Sequence, residues 1–201
     1  MTPAQRISAG DAAAVLGRAV RTALRAPEPQ VLPARGLVVA VDGMTGSGKS
    51  WLARQLVEAL ADLRTGLLEV EALVPGWDRL ADGVQECRQA LAAMDRGEVA
   101  RLRTWDWRAM RPGPVHCMAL PAGGVLIVEG CGALAAAAQD LGHLIVLRVL
   151  VCAPAPLRHA RVVERDGYDW DVSSWERQEA GVARSWQGVP AYAPGAVIVP
   201  D

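Results

Sequence analysis

The chain has 201 residues, about half of them apolar, and a formal net charge of -1. That length can bury the core of one ordinary α/β domain, and the balanced charge gives no overall field that would favour nucleic acid or an anionic membrane. Cys87, Cys117, Cys131 and Cys152 lie far apart without a Cys-x-x-Cys pair, which argues against a zinc site or a disulfide framework and for free thiols in a reducing cytoplasm.

In chain order, the first predicted element is a helix over residues 8–24. Ser8 can cap it, and Val15, Leu16, Ala19, Val20 and Ala23 share a face. Asp11 and Arg18 interrupt its apolar residues, so neither a signal peptide nor a membrane span is expected there. Ala26-Pro27-Glu28-Pro29 ends the helix. Residues 1–30 thus read as an N-terminal helix and linker, and 37–199 as the core of a single domain covering 1–201.

The core opens on Val38-Val39-Ala40-Val41-Asp42, followed by Gly43-Met44-Thr45-Gly46-Ser47-Gly48-Lys49-Ser50. From Ser50 onward, Leu52, Leu56, Leu60 and Leu63 fall at helical spacing. Strand, Gly-x-x-x-x-Gly-Lys-Ser loop and helix in this order define a P-loop. Its glycines let successive backbone N–H groups and the positive helix end face a polyphosphate. Lys49 would reach the terminal phosphates and the Ser50 hydroxyl would ligate Mg²⁺. Gly43, Thr45, Gly46, Ser47, Gly48, Lys49, Ser50 and Trp51 are therefore the expected nucleotide-binding residues.

After the P-loop helix, Thr65-Gly66 forms a turn and Leu67-Leu68-Glu69-Val70 a second strand, with Glu71 at its carboxyl end. Leu80, Val84, Cys87, Leu91 and Met94 give a helix from 78 to 94, and Gly97 suits its C-terminal cap. Residues 101–121 read as irregular and dense in Arg and Trp. Val125-Leu126-Ile127-Val128-Glu129 is a buried parallel strand ending in a carboxylate. A strand at 144–151 and a helix at 157–165 follow. Ser173 and Glu176 form a capping box for a helix reaching about Gln187, with Trp175, Val182 and Trp186 on one side. Ala196-Val197-Ile198-Val199 closes a five-stranded parallel sheet with helices on both faces, an α/β P-loop NTPase fold whose site lies at the carboxyl ends of the strands.

That rim gathers Glu71, Glu129 and the helix after strand four. Glu129 has the place of a metal-holding carboxylate beside Ser50, with Asp42 as its rival. Arg158, Arg161 and Arg165 align on one helical face. They can form a lid, near residues 155–175, that neutralises a phosphoryl group in transfer, or a solvated basic face paired with Glu164 and Asp166. The absence of Asn-Lys-x-Asp removes support for guanine readout.

These residues, in this order over 37–199, resemble the uridine kinase-like nucleoside and small-molecule kinases of the P-loop class. The resemblance rests on the P-loop, Glu71-Ala72-Leu73-Val74-Pro75-Gly76-Trp77, Trp105-Asp106-Trp107, Ile127-Val128-Glu129-Gly130 and the Arg158–Arg165 helix. In that family an Asp at the end of strand two takes the proton from the substrate hydroxyl. Glu71 stands at the matching position and Glu69 is its substitute if the register differs. The family's aromatic-Asp-aromatic segment contacts the acceptor, which implies a substrate role for Trp105, Asp106 and Trp107, with Trp77 as a further wall. Glu in place of Asp, Ala72, Val74 and Trp51 depart from the family pattern. The resemblance implies an ATP- and Mg²⁺-dependent kinase acting on a hydroxyl of a nucleoside or similar small metabolite. The catalytic residues would be Glu71, Lys49 and the three lid arginines. A nucleotide-binding protein without transferase activity, or an ATPase coupled to a partner, are the alternatives.

Overall fold

Side-chain alternation decides the central layer. In β2 (Gly36–Asp42), Leu37, Val39 and Val41 point to one face, and Val38 and Ala40 to the other, and all five are fully buried. A strand buried on both faces needs helices on both, and each buried Val or Leu side chain contributes about 1.5–3 kcal/mol. The structure, a computed structural model, describes residues 4–26 and 36–201. The linker expected at Pro27-Glu28-Pro29 lies outside them.

Five further strands join β2 in an all-parallel sheet: β1 (Gln5–Ser8), β3 (Thr65–Glu69), β6 (Gly124–Glu129), β7 (Leu144–Val151) and β8 (Ala196–Val199). Their spatial order is β1-β8-β7-β2-β6-β3. The P-loop strand is thus central, between β7 and β6. One face is covered by α1 (Ala9–Arg25) and α2 (Lys49–Ala59), whose Leu16, Val20, Leu52 and Leu56 pack under Leu37, Val39 and Ile127. The opposite face holds α3 (Leu80–Asp95), α4 (Ala133–Ala137) and α6 (Val172–Trp186), with Leu91, Met94, Leu134 and Trp175 in its core. No helix among the described residues is long and apolar enough to cross a membrane.

The sheet has six strands where five were expected. The extra one is β1, too short and polar to register as a strand; it pairs with β8 from Gln5 to Ser8. The segment expected to be irregular contains an antiparallel ribbon, β4 (Ala100–Asp106) against β5 (Arg111–Met118). Pro112 and Pro114 hide it in the sequence, because proline argues against a central strand but is tolerated in a ribbon with free edges. Strand β3 stops at Glu69, and Val70–Leu73 forms a 3₁₀ turn, so Glu71 sits on that turn and not at the strand end.

The caps follow local chemistry. Ser8 Oγ accepts from Asp11 N, as expected. Gly97 is left-handed, and it and Glu98 donate back to Met94 and Ala93, closing α3. At α6, the chain enters through Asp171, whose Oδ1 accepts from Ser174 N at 2.8 Å. It therefore takes the cap expected of Ser173 and leaves Glu176 free for another partner. Helix α5, carrying the three arginines, spans Ala155–Arg165.

Candidate active site

Three glycines in left-handed backbone shape the loop: Gly43, Gly46 and Gly48, at φ 153, 73 and 103°. A Cβ on Gly46 would come within 2.3 Å of the Arg158 carbonyl oxygen, so α5 lies directly on the loop. Lys49, the first residue of α2, is 7% exposed. Burial alone would lower its pKa. The Glu129, Glu179 and Glu71 carboxylates around it outweigh burial and keep the ammonium charged.

Glu129 ends β6 and is buried, and burial raises its pKa against the pull of Lys49. The neighbouring Ser50 hydroxyl also opposes the rise, while Glu129 Oε2 is buried without a partner. A buried carboxylate oxygen left unpaired beside a hydroxyl is a donor set suited to a hard cation such as Mg²⁺. Asp42, the rival for this role, has another function. Its Oδ1 accepts from Gly43 N (2.6 Å) and Gly132 N (3.1 Å), and its Oδ2 from Leu134 N (2.9 Å). Burial raises its pKa and these donors oppose the rise. Asp42 fastens the start of the P-loop to the start of α4.

The three arginines have separate uses. Arg158 is buried and donates through Nη1 to Thr45 O (3.1 Å) and to Glu176 Oε1 (2.5 Å), bracing the loop from behind. Arg161 Nη1 donates to Gly46 O (3.3 Å) and Ser47 O (3.1 Å) on the exposed side. It lines both a cavity of about 300 Å³ over Lys49 and Ser50 and one of about 380 Å³ between Trp51, Leu52 and Ile198. Arg165 is held by both oxygens of Asp166, at 2.7 and 2.8 Å, which raises its pKa, and the Glu71 charge adds to the rise.

Burial pushes the Glu176 carboxyl up, but hydrogen bonds from Arg158 and His159 outweigh it and leave the pKa below the ordinary 4.5. A depressed carboxyl pKa gives stability that is complete above the unfolded value and is lost as pH falls through the folded one. Glu176→Gln should therefore cost about 1–3 kcal/mol at neutral pH, the scale of a charged hydrogen bond. In denaturant titrations its deficit relative to the wild type should shrink on acidification below about pH 4. A deficit that stays constant with pH would show that charge is not what joins α5 to α6.

Sequence reasoning missed Glu179. It lies buried on α6, and its carboxylate accepts from Thr45 N at 2.9 and 3.1 Å and from the Cys131 thiol at 2.6 Å. A signal was available: Trp175, Glu176 and Glu179 recur at helical spacing, placing two acids beside an aromatic on one face.

Trp175 lies one helical turn before Glu179 on α6 and lines a third cavity, of about 540 Å³. Trp77, Trp107, Trp170 and Trp175 wall it. Trp77 packs against the other three with ring centroids 5.0–6.1 Å apart. Trp107 Nε1 donates to Glu71 O at 3.1 Å, and Trp170 Nε1 to Asp166 Oδ2 at 2.9 Å. The cavity is therefore tied to Glu71 and to the Arg165 clamp, and through α6 to the P-loop. Trp105 and Asp106 do not line it. Asp106 Oδ1 accepts from Arg108 N and Ala109 N and shapes the ribbon's turn, and Trp105 Nε1 is buried without a partner.

No protein-family model and no curated protein matches this chain. Among solved structures it is similar to a possible uridine kinase from Bacillus stearothermophilus, with TM-score 0.57 and 14% identity over 94% of this chain and 98% of that one. It is also similar to a candidate fructose transport system kinase from Silicibacter sp. TM1040, with TM-score 0.51 and 21% identity over 92% and 98%. With its central P-loop strand, parallel sheet and α5 laid over the loop, the chain has the fold of the P-loop kinases.

Proposed function

We propose that this protein transfers the γ-phosphoryl group of ATP to a hydroxyl of a small acceptor held in the tryptophan-walled cavity. The observation that carries this reading is the placement of that cavity: Trp107 Nε1 donates to the Glu71 main-chain carbonyl, and Trp175 lies one helical turn before Glu179, whose carboxylate accepts from Thr45 N of the P-loop. An ATPase coupled to a macromolecule has no need of a small-molecule-sized aromatic cavity joined to its phosphate loop. The acceptor oxygen would attack the γ-phosphorus as the bond to the bridging oxygen of ADP breaks, and its proton would pass to Glu71. Lys49 stabilises charge on the transferring group, and Arg161 or Arg165 can approach it from the α5 side. The base of ATP would lie in the cavity between Trp51 and Ile198. Ser50 and Glu129 would hold Mg²⁺, which when bound neutralises charge on the polyphosphate.

ADP release from ATP across nucleosides, sugars and vitamin precursors tests the reading. Release that depends on one acceptor supports it. Tight nucleotide binding without release on any acceptor would replace it with a nucleotide-binding role. Glu129→Gln, which keeps the side chain's size and removes its charge, should raise the Mg²⁺ concentration needed for half-maximal release at least about tenfold. An unchanged Mg²⁺ requirement would remove Glu129 from the metal site.

A further inference from the structure

The charge on the tryptophan cavity is one-sided. Asp78, Asp169 and Asp171 line it together with the four tryptophans, and no lysine, arginine or histidine does. Asp171 caps α6 and stands 4.0 Å from the Arg177 guanidinium, so it is already engaged. Asp78 and Asp169 make no ion pair among the described residues. Arg165, the cation tied to this wall through Asp166 and Trp170, is already held bidentately. An acceptor bearing a carboxylate or phosphate would find no counter-charge here and would meet unpaired carboxylates. An indole face, by contrast, carries negative potential that attracts cations, and carboxylates at the rim add to the attraction.

We infer that the acceptor is cationic, an amino or quaternary ammonium compound that carries the hydroxyl to be phosphorylated. This rests on the kinase reading above for the fate of the hydroxyl, but the cation preference itself is a property of the cavity. The positive group sits against Trp77 and Trp170 with Asp78 and Asp169 at the rim, and the hydroxyl extends past Trp107 toward Glu71. The uncharged ring of a pyrimidine nucleoside would satisfy the tryptophans but leave the rim carboxylates without a cation.

The test compares pairs of probes matched in shape and different in charge. One pair is choline and its isostere with carbon in place of the quaternary nitrogen; the other is glucosamine and glucose. Binding to the full chain is read by quenching of tryptophan fluorescence, and turnover by ADP release. In at least one pair the cation should bind at least about tenfold more tightly, a contrast of the size expected for a desolvated cation on aromatic faces. The double variant Asp78→Asn with Asp169→Asn, checked for folding by circular dichroism, should lose most of that contrast. Equal or weaker binding of the cation in both pairs, or a contrast unchanged in the double variant, would overturn the inference. ADP release confined to neutral or anionic acceptors would also overturn it and leave the kinase reading intact. Cation preference without ADP release on any acceptor would do the opposite.

Discussion

Lys49→Ala should lower phosphoryl transfer at least about 10²-fold, the loss expected on removing one preorganised electrostatic donor. Lys49 is nearly buried and lies among Glu129, Glu179 and Glu71. Its charge therefore acts in a water-poor setting where a compensating solvent ion cannot readily replace it. The fold should persist, because removing the ammonium lets Glu129 and Glu179, whose pKa values burial already raises, take up protons and relieve the imbalance. Lys49→Met controls for volume. Steady-state ADP release, with circular dichroism as a check on folding, measures the effect. Near-normal turnover in either variant would mean that the loop does not hold the transferring phosphate.

The P-loop was legible because it is local. Its glycines stand where the backbone is left-handed, and a β-branched run and a helical period flank them. The central strands were legible for a related reason: a strand buried on both faces leaves a continuous apolar run, as in Val125–Val128. Contacts between distant segments left no such mark. Thr45 and Glu179 are 134 positions apart, and Asp42 and Leu134 are 92 apart. Nothing in either member of these pairs names the other. The cavity shows both cases. Trp77 and Trp107 were expected from the family resemblance, whereas Trp170 and Trp175 arrive only because α6 folds back across the sheet. The position of Glu71 depended on where β3 ends, and strand boundaries are set by pairing: Glu69 opposite Glu129 is the last partner that β6 offers.

Glu71→Gln should leave ATP affinity unchanged while transfer falls about 10² to 10⁴-fold, the usual contribution of a positioned general base. Two exposed carboxylates compete for this role, and their surroundings differ. Glu69 is the final residue of β3, in register with Glu129, so its charge adds to the metal side of the rim. Glu71 lies on the following turn, where the Trp107 indole binds its carbonyl and Arg165 feels its carboxylate. It thus lies beside the tryptophan wall and within the field of Arg165 on α5, where the hydroxyl of the proposed acceptor would lose its proton. Glutamate also reaches one methylene farther than the aspartate of the resembling family, which suits a base carried on a turn beyond the strand end. Glu69→Gln should accordingly be mild. Single-turnover transfer and ATP affinity, measured for both variants, separate the roles. A large loss in Glu69→Gln with little in Glu71→Gln would move the base to the strand end, and full activity in both would remove both carboxylates from proton transfer.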